Sequence, residues 1–458
     1  MTPAADLEAL AEQAAESALA AGAGDAEAAV QDSTGREIRV FDGQVESLTE
    51  AGERGLGVRA WIDGRVGFAY GTDLSGDGLA DVAADAVEAA RVVDPDEHAA
   101  APAPSDDAGR AGDPGVYHDA QVGAMPTPEK IGLAKAIERH AREADHRVAG
   151  VETTVYVDEE VRWALCSSTG LRGFYEASFA YAYAQVIAAD NGSKQTGLGF
   201  GLGRSPVALD PEAIGREGAE RAVQLLGASK PASRNCPVVL DPTVAASFAG
   251  FVGGVLCADE VQRGRSPFAD RLGEEVASDV LVLTDDGTDP EGMASAPIDG
   301  EGLARGRTTL IGRGRLSAYL HDSYTARRDG GARSTANAAR SGYRSAPSVS
   351  TSNLILGPGG ASLEELLAGA GDGVYVTDVA GLHSGVNPVS GQFSVGASGV
   401  LVEGGELGTA ATEFTIASDL VSMLSAVSAA GAEARWVPFG GSVKSPPLLI
   451  AEMAIGGS

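Results

Sequence analysis

The chain has 458 residues, 44% of them hydrophobic, and carries 64 acidic side chains against 34 basic ones, for a formal net charge of −30 at pH 7. That length allows a large buried core, shared by roughly two to four domains. The excess of carboxylates argues against a nucleic-acid partner, because such binding rests on Lys and Arg displacing counterions from phosphates.

In chain order, Thr2 is a predicted cap and Pro3 a first-turn residue of a helix whose Leu7, Leu10 and Ala14 share a face and which Gly22 ends. Strands are predicted over 36–50, 56–62 and 65–70, with Asp63-Gly64 as a tight hairpin signal between the last two. A helix over 79–92 follows. Residues 94–118, rich in Pro, Asp and Ala, read as a surface connection. Thr127-Pro128-Glu129 reads as the capped start of a helix to about residue 145, and long strands over 152–167 and 172–189 and a helix over 210–227 come next. The glycines at 197, 199, 201 and 203 lack the flanking strand and helix of a dinucleotide loop and are expected to form a Gly-rich turn.

Lys230-Pro-Ala-Ser-Arg-Asn235 marks an expected boundary between an N-terminal α+β domain, 1–230, and a C-terminal strand-rich domain, 235–458. The second part opens with a strand over 237–240 and with Asp241-Pro242, a cap and first-turn pair. The helix they start is almost wholly apolar through Leu256, which marks it as interior. Short strands are predicted over 280–284, 308–311, 374–377, 393–397, 400–403 and 412–416. Helices are predicted from Ser362, where Glu365 completes a capping box, and over 418–429. Strands that cluster without regular helical crossovers indicate an α+β fold rather than a doubly wound one.

Cys166, Cys236 and Cys257 are dispersed in apolar surroundings and read as reduced, buried thiols rather than a disulfide framework. The N-terminus has no basic and apolar leader pattern, and the longest apolar run, 244–258, is shorter than the ~20 residues of a membrane span. The expected location is the cytoplasm. None of the six His stands four or five residues from another, the spacing of a helical zinc pair. The chain has no Gly-x-Ser-x-Gly elbow, and the adjacent His321, Asp322 and Ser323 cannot converge as a triad. Asp285, Asp286, Asp299 and Glu301 form the densest acidic group and, among glycines, are expected in exposed turns. Arg327, Arg328, Arg333, Arg340 and Arg344 read as a solvated loop.

The most informative stretch is 381–394, Gly-Leu-His383-Ser384-Gly-Val-Asn387-Pro-Val-Ser390-Gly-Gln-Phe393-Ser. Turn-forming and polar residues lie there between two strand-like runs, so the stretch reads as a shaped loop. It resembles the sGvNpvtGdFS signature of the TldD/PmbA family of peptidase subunits. Other segments follow in that family's order: Arg54-Gly-Leu-Gly-Val-Arg-Ala-Trp61, Arg263-Gly-Arg-Ser266, Asp285-Asp286-Gly, Ile298-Asp299-Gly-Glu301-Gly, Ser352-Asn353 and Lys444-Ser-Pro-Pro-Leu-Leu-Ile.

The resemblance implies a two-domain α+β fold, with the C-terminal domain corresponding to the family's peptidase domain. In the metal-bearing kind of subunit, a His-Glu-x-x-x-His helix and a late Cys supply zinc ligands. Counting back from Gly264-Arg-Ser266 puts that helix on 248–257, with the His positions near Ala249 and Gly254, and the last Cys of the chain is Cys257. The chain therefore resembles the PmbA, or TldE, kind. The resemblance implies a non-catalytic subunit with no cofactor of its own, acting only with a zinc-bearing TldD-like partner on unfolded or short peptides. It also implies roles at a peptide channel or subunit contact for His383, Ser384, Asn387, Ser390, Phe393, Asn353, Arg265, Asp299 and Glu301. The alternatives are a stand-alone metallopeptidase with unfamiliar ligands and a self-associating scaffold, such as a homodimer.

Overall fold

The structure, a computed structural model, describes residues 4–106, 117–439 and 441–457. The expected Thr2-Pro3 helix start and residues 107–116 of the 94–118 connection lie outside them.

Six antiparallel strands form the first sheet: β1 (Asp25–Phe41), β2 (Gln44–Ile62), β3 (Arg65–Gly71), β4 (Val148–Ser167), β5 (Arg172–Asp190) and β6 (Ser193–Gly203), in the order β3-β2-β1-β4-β5-β6. Successive side chains point to opposite faces of a strand. Even-numbered residues such as Ala28, Val58, Ala164 and Ala182 are fully buried. They pack under α1 (Ala4–Ala20), α2 (Gly76–Val92), α4 (Thr127–Ala144) and α5 (Pro211–Gln224), a short α3 (Gln121–Ala124) preceding α4. All four long helices therefore lie on one face.

Several expectations are corrected here. Residues 36–50 are not one strand but two arms of a hairpin, turning at Asp42-Gly43 with φ of 50° and 70°, the same Asp-Gly turn as at Asp63-Gly64 with φ of 48° and 72°. Helix α4 includes Thr127, and the capping position falls on Pro126, which makes no side-chain cap bond. Pro128 needs no N–H in the first turn, so it does not stop the helix from starting earlier. The glycines of 197–203 lie in strand β6 instead of a turn. Their lack of side chains serves packing: a Cβ on Gly199 would sit 2.0 Å from the Ile214 carbonyl oxygen of α5, and one on Gly197 2.2 Å from the Ala222 nitrogen.

The C-terminal half adds two further six-stranded sheets. One runs Arg315–Leu316, Arg307–Gly312, Val282–Asp286, Asn353–Leu356, Ser442–Ser445 and Arg435–Val437. The other runs Glu406–Asp419, Gln392–Glu403, Gly373–Ala380, Arg234–Leu240, Leu448–Gly456 and Val427–Ala430, and its first strand also pairs with Leu448–Gly456, closing the sheet on itself. Helix α6 (Pro242–Val255) starts at Asp241, whose carboxylate accepts from the Thr243 N–H at 2.9 Å. Its Val244, Phe248, Ala249 and Val252 join residues of both sheets in one core, as an all-apolar helix requires. Gln392–Glu403 is a single bulged strand where two were expected. The helix expected over 418–429 is confined to Leu420–Ser425, because the chain then turns to pair Val427–Ala430 with Leu448–Gly456.

The result is an α+β fold in which all three Cys are buried and unpaired. Among the described residues, no helix is long and apolar enough to cross a membrane. Gly199→Ala is expected to lose about 1–3 kcal/mol of stability by forcing α5 off the sheet. Gly150→Ala, where a Cβ meets nothing within 4 Å, serves as the control. Urea unfolding of the two variants checks this.

Candidate functional site

Loop 381–394 starts from Gly381, at φ 84°, and makes one helical turn, Leu382–Gly385, before Val386 bridges back to Phe393. The Asn387 side-chain oxygen accepts from the N–H groups of Val389 at 2.9 Å and Ser390 at 3.2 Å. Its backbone exchanges bonds with Gly391 and Gln392, both 2.8 Å. Phe393 points inward, 4% exposed, and meets Phe248 of α6 with ring centroids 5.0 Å apart at 54°. The loop is thus braced on the apolar helix, and its outer side borders an open groove of about 920 Å³. Ser384, Asn387 and Ser394 line it from the loop, and Ser418, Asp419 and Ser422 from the neighbouring strand and the helical turn after it.

The other residues singled out from the sequence do not line this groove. Arg265 lies at the surface, bonded to Glu260 at 2.8 Å. His383 is exposed next to the groove, and Ser390 accepts from the Gln392 N–H within the turn at 3.3 Å. Asn353 is fully buried and stitches loops together: its amide donates to the Asp286 carbonyl at 2.6 Å and to the Ser295 hydroxyl at 2.8 Å.

The acidic group is the largest correction. Asp285, Asp299 and Glu301 are each 2% exposed rather than lying in open turns. Asp285 accepts from the Ser352 N–H (2.7 Å), the Ser352 hydroxyl (2.6 Å) and the Asn337 amide (2.7 Å). Asp299 accepts from the N–H groups of Glu301 (2.9 Å), Leu303 (3.0 Å) and Ala338 (3.1 Å). Glu301 accepts from the Ser323 N–H at 2.9 Å and pairs at 3.3 Å with Arg59 on β2. Arg59 also pairs with Glu27 on β1 at 2.6 Å, and Arg340 reaches the same Glu27. Arg340 is therefore buried ionic structure and not part of a solvated loop. Sequence reasoning missed Glu27, Arg59 and Arg340; the one available signal was a charge inside the apolar run Leu56-Gly-Val-Arg59-Ala-Trp61.

Zinc needs imidazole, thiolate or carboxylate donors. Ala249 is buried among Leu240, Phe248, Val252, Met423 and Ile450, around an apolar space of about 20 Å³. Gly254 is exposed on the helix, with nothing within 4 Å of where a side chain would begin. Burial raises the Cys257 thiol well above its ordinary value, and its Sγ–H contacts the Gly253 carbonyl at 3.6 Å. These residues do not fit a zinc ion, and among the described residues no group of three or more His, Cys, Asp or Glu is placed to hold a metal.

The class is defined by matches to the domain models of a family described as metallopeptidases. Three models match in order: PmbA/TldA metallopeptidase domain 1 over 26–90, the central domain over 121–226 and the C-terminal domain over 233–457. The chain belongs to the PmbA/TldD family. It is similar to metalloprotease PmbA of Escherichia coli O157:H7, 29% identical over 441 residues that cover 96% of this chain and 94% of the relative. It is also similar to a TldD homologue of Haemophilus influenzae, described as a metalloprotease, 27% identical over 433 residues covering 89% and 87%. The crystal structure of TldE from Thermococcus kodakarensis shares the fold, with a TM-score of 0.88 over 98% of this chain and 100% of that one, at 22% identity.

Burial, reinforced by the charge of Glu301, pushes Asp299 up to about 7, whereas an unfolded Asp titrates near ~3.9. Between those values the folded protein holds a proton that the unfolded chain has released. The contribution of this group to stability is therefore fully present below about pH 4 and declines as pH rises toward about 7. Asp299→Asn is expected to remove that decline, flattening stability against pH by on the order of a few kcal/mol across this window. Urea midpoints measured from acid to neutral pH read it.

Proposed function

We propose that this chain is the non-catalytic subunit of a cytoplasmic two-subunit metallopeptidase of the TldD/TldE type. The observation that carries the reading is chemical: where a family zinc site would fall, α6 presents the methyl of Ala249 to a closed apolar core and only hydrogen at Gly254. A cation beside Ala249 would be desolvated without a ligand, which is prohibitively unfavourable, and Gly254 offers no side-chain donor atom to one outside. Similarity to both PmbA and TldD relatives supports a pairing of unlike subunits.

In this reading the zinc belongs to the TldD-like partner and the substrates are unfolded or short peptides. The chain is organised in two halves, 1–230 and 235–458. The groove lined by Ser384, Asn387 and Asp419, about 920 Å³ in volume, is where this reading places an extended peptide or a partner loop, and Phe393 braces its rim on Phe248.

The purified chain alone is expected to carry far less than one zinc per molecule by elemental analysis and to cleave no peptide. Adding a metal-bearing TldD-like subunit is expected to produce cleavage. Peptidase activity of the lone chain that a chelator abolishes would overturn the proposal.

A further inference from the structure

The face of the first sheet turned away from the helices divides into two regions. At one end the C-terminal half sits directly on it: a Cβ on Gly57 would lie 2.2 Å from the Tyr343 carbonyl oxygen, and one on Gly173 would lie 2.3 Å from Ile298. At the other end, pairing lines up Glu37, Val157 and Tyr181 in one row, Gly35, Glu159 and Phe179 in the next, and Ser33, Val161 and Ala177 in a third, with Thr49, Ala51 and Glu53 of β2 alongside. Thr49 and Ala51 are exposed, and Glu37, Glu53, Glu159, Val157, Val161, Phe179 and Tyr181 are only partly buried.

Three carboxylates thus share a floor with a ridge of apolar and aromatic side chains. Glu37 pairs with Arg39 at 2.7 Å and Glu53 with Arg344 at 2.9 Å, both at partly exposed positions where such pairs are weak. Glu159 has no ion pair among the described residues; burial, and then the charge of Glu53, raise its carboxyl above the ordinary value. Phe179 and Tyr181 continue into a mostly apolar pocket of about 270 Å³, closed from the other side by Met293, Val437 and Pro438. A cation over Glu159 would relieve the repulsion from Glu53, and a neighbouring ring would fill the pocket.

We infer that this open half of the sheet binds extended peptide segments that carry Lys or Arg close to an aromatic or large apolar residue. The inference rests on the reading of the chain as a peptide-handling subunit and names the chemistry it would prefer. A formal charge of −30 disfavours a second copy of the chain as the occupant.

The test is fluorescence anisotropy of the lone, full-length chain with three labelled peptides of equal length: alternating Lys and Phe, the same with Gln for Lys, and the same with Glu for Lys. The Lys peptide is expected to bind at least about tenfold more tightly than the Gln peptide, equivalent to ~1.4 kcal/mol, to weaken as salt is raised, and to outbind the Glu peptide further still. Glu159→Gln is expected to lower its affinity about three- to tenfold, and Glu53→Gln is expected to lower it in the same direction should the first variant fold poorly. Glu88→Gln, on the helix-covered side, is expected to leave it unchanged. Equal binding of the Lys and Gln peptides, indifference to both carboxylate variants, or a dimer in sedimentation that Glu159→Gln dissociates would overturn the inference. Because this readout needs neither zinc nor partner, partner-dependent cleavage without charge preference sinks this inference alone, and selective binding without any partner-dependent cleavage sinks only the subunit reading.

Discussion

Everything in the molecule is organised around the buried ionic contact between the first sheet and the C-terminal half. Arg59 on β2 stands between Glu27 on β1 and Glu301 from a distant loop, and Arg340 closes on Glu27 from a third segment. Ion pairs so deeply buried gain little net stability, but removing one partner leaves an uncompensated charge and costs about 3–5 kcal/mol. The contact ties three distant segments of the chain, β1 and β2, the 301 loop and Arg340, at one buried point. Gly55, Gly57 and Gly173 let the backbones approach beside it, since a Cβ at each would collide with Tyr343 or Ile298.

That docking decides what is left open. It covers one end of the sheet face and leaves the other, with Glu37, Glu159, Phe179 and Tyr181, accessible from solvent. The same half encloses α6 between two sheets, so that the helix serves as an apolar wedge rather than a ligand platform. Phe393 transmits that rigidity to the 381–394 loop, and Asn387 uses its side-chain oxygen on its own turn, leaving the hydroxyls of Ser384, Ser418 and Ser422 on the groove walls.

Much of the local structure was legible from residues alone. Asp241 and Ser362 do cap the helices they precede, the second with Glu365 in a capping box, because capping depends on the neighbouring three or four positions only. The long strands β4 and β5 and the apolar α6 were equally readable. Less so was the Asp42-Gly43 turn, which interrupts a run whose two arms are both strand-like, and the strands Asn353–Leu356 and Leu448–Gly456, which take their pairing from segments far away in the chain. The glycines of β6 read as loop by composition; their purpose is to admit Ile214 and Ala222 of a helix that follows later.

The sequence by itself determined the family, the α+β class, the shaped loop and the absence of zinc donors at Ala249 and Gly254, since each depends on residue identity and short-range pattern. Only the tertiary structure decided that Asp285, Asp299 and Glu301 are interior, that Arg340 is a buried partner of Glu27, and that an acidic, aromatic half of a sheet stays uncovered. Burial is a property of what packs against a residue from elsewhere in the chain. A carboxylate among glycines has the same local signature in solvent and in a fully hydrogen-bonded core.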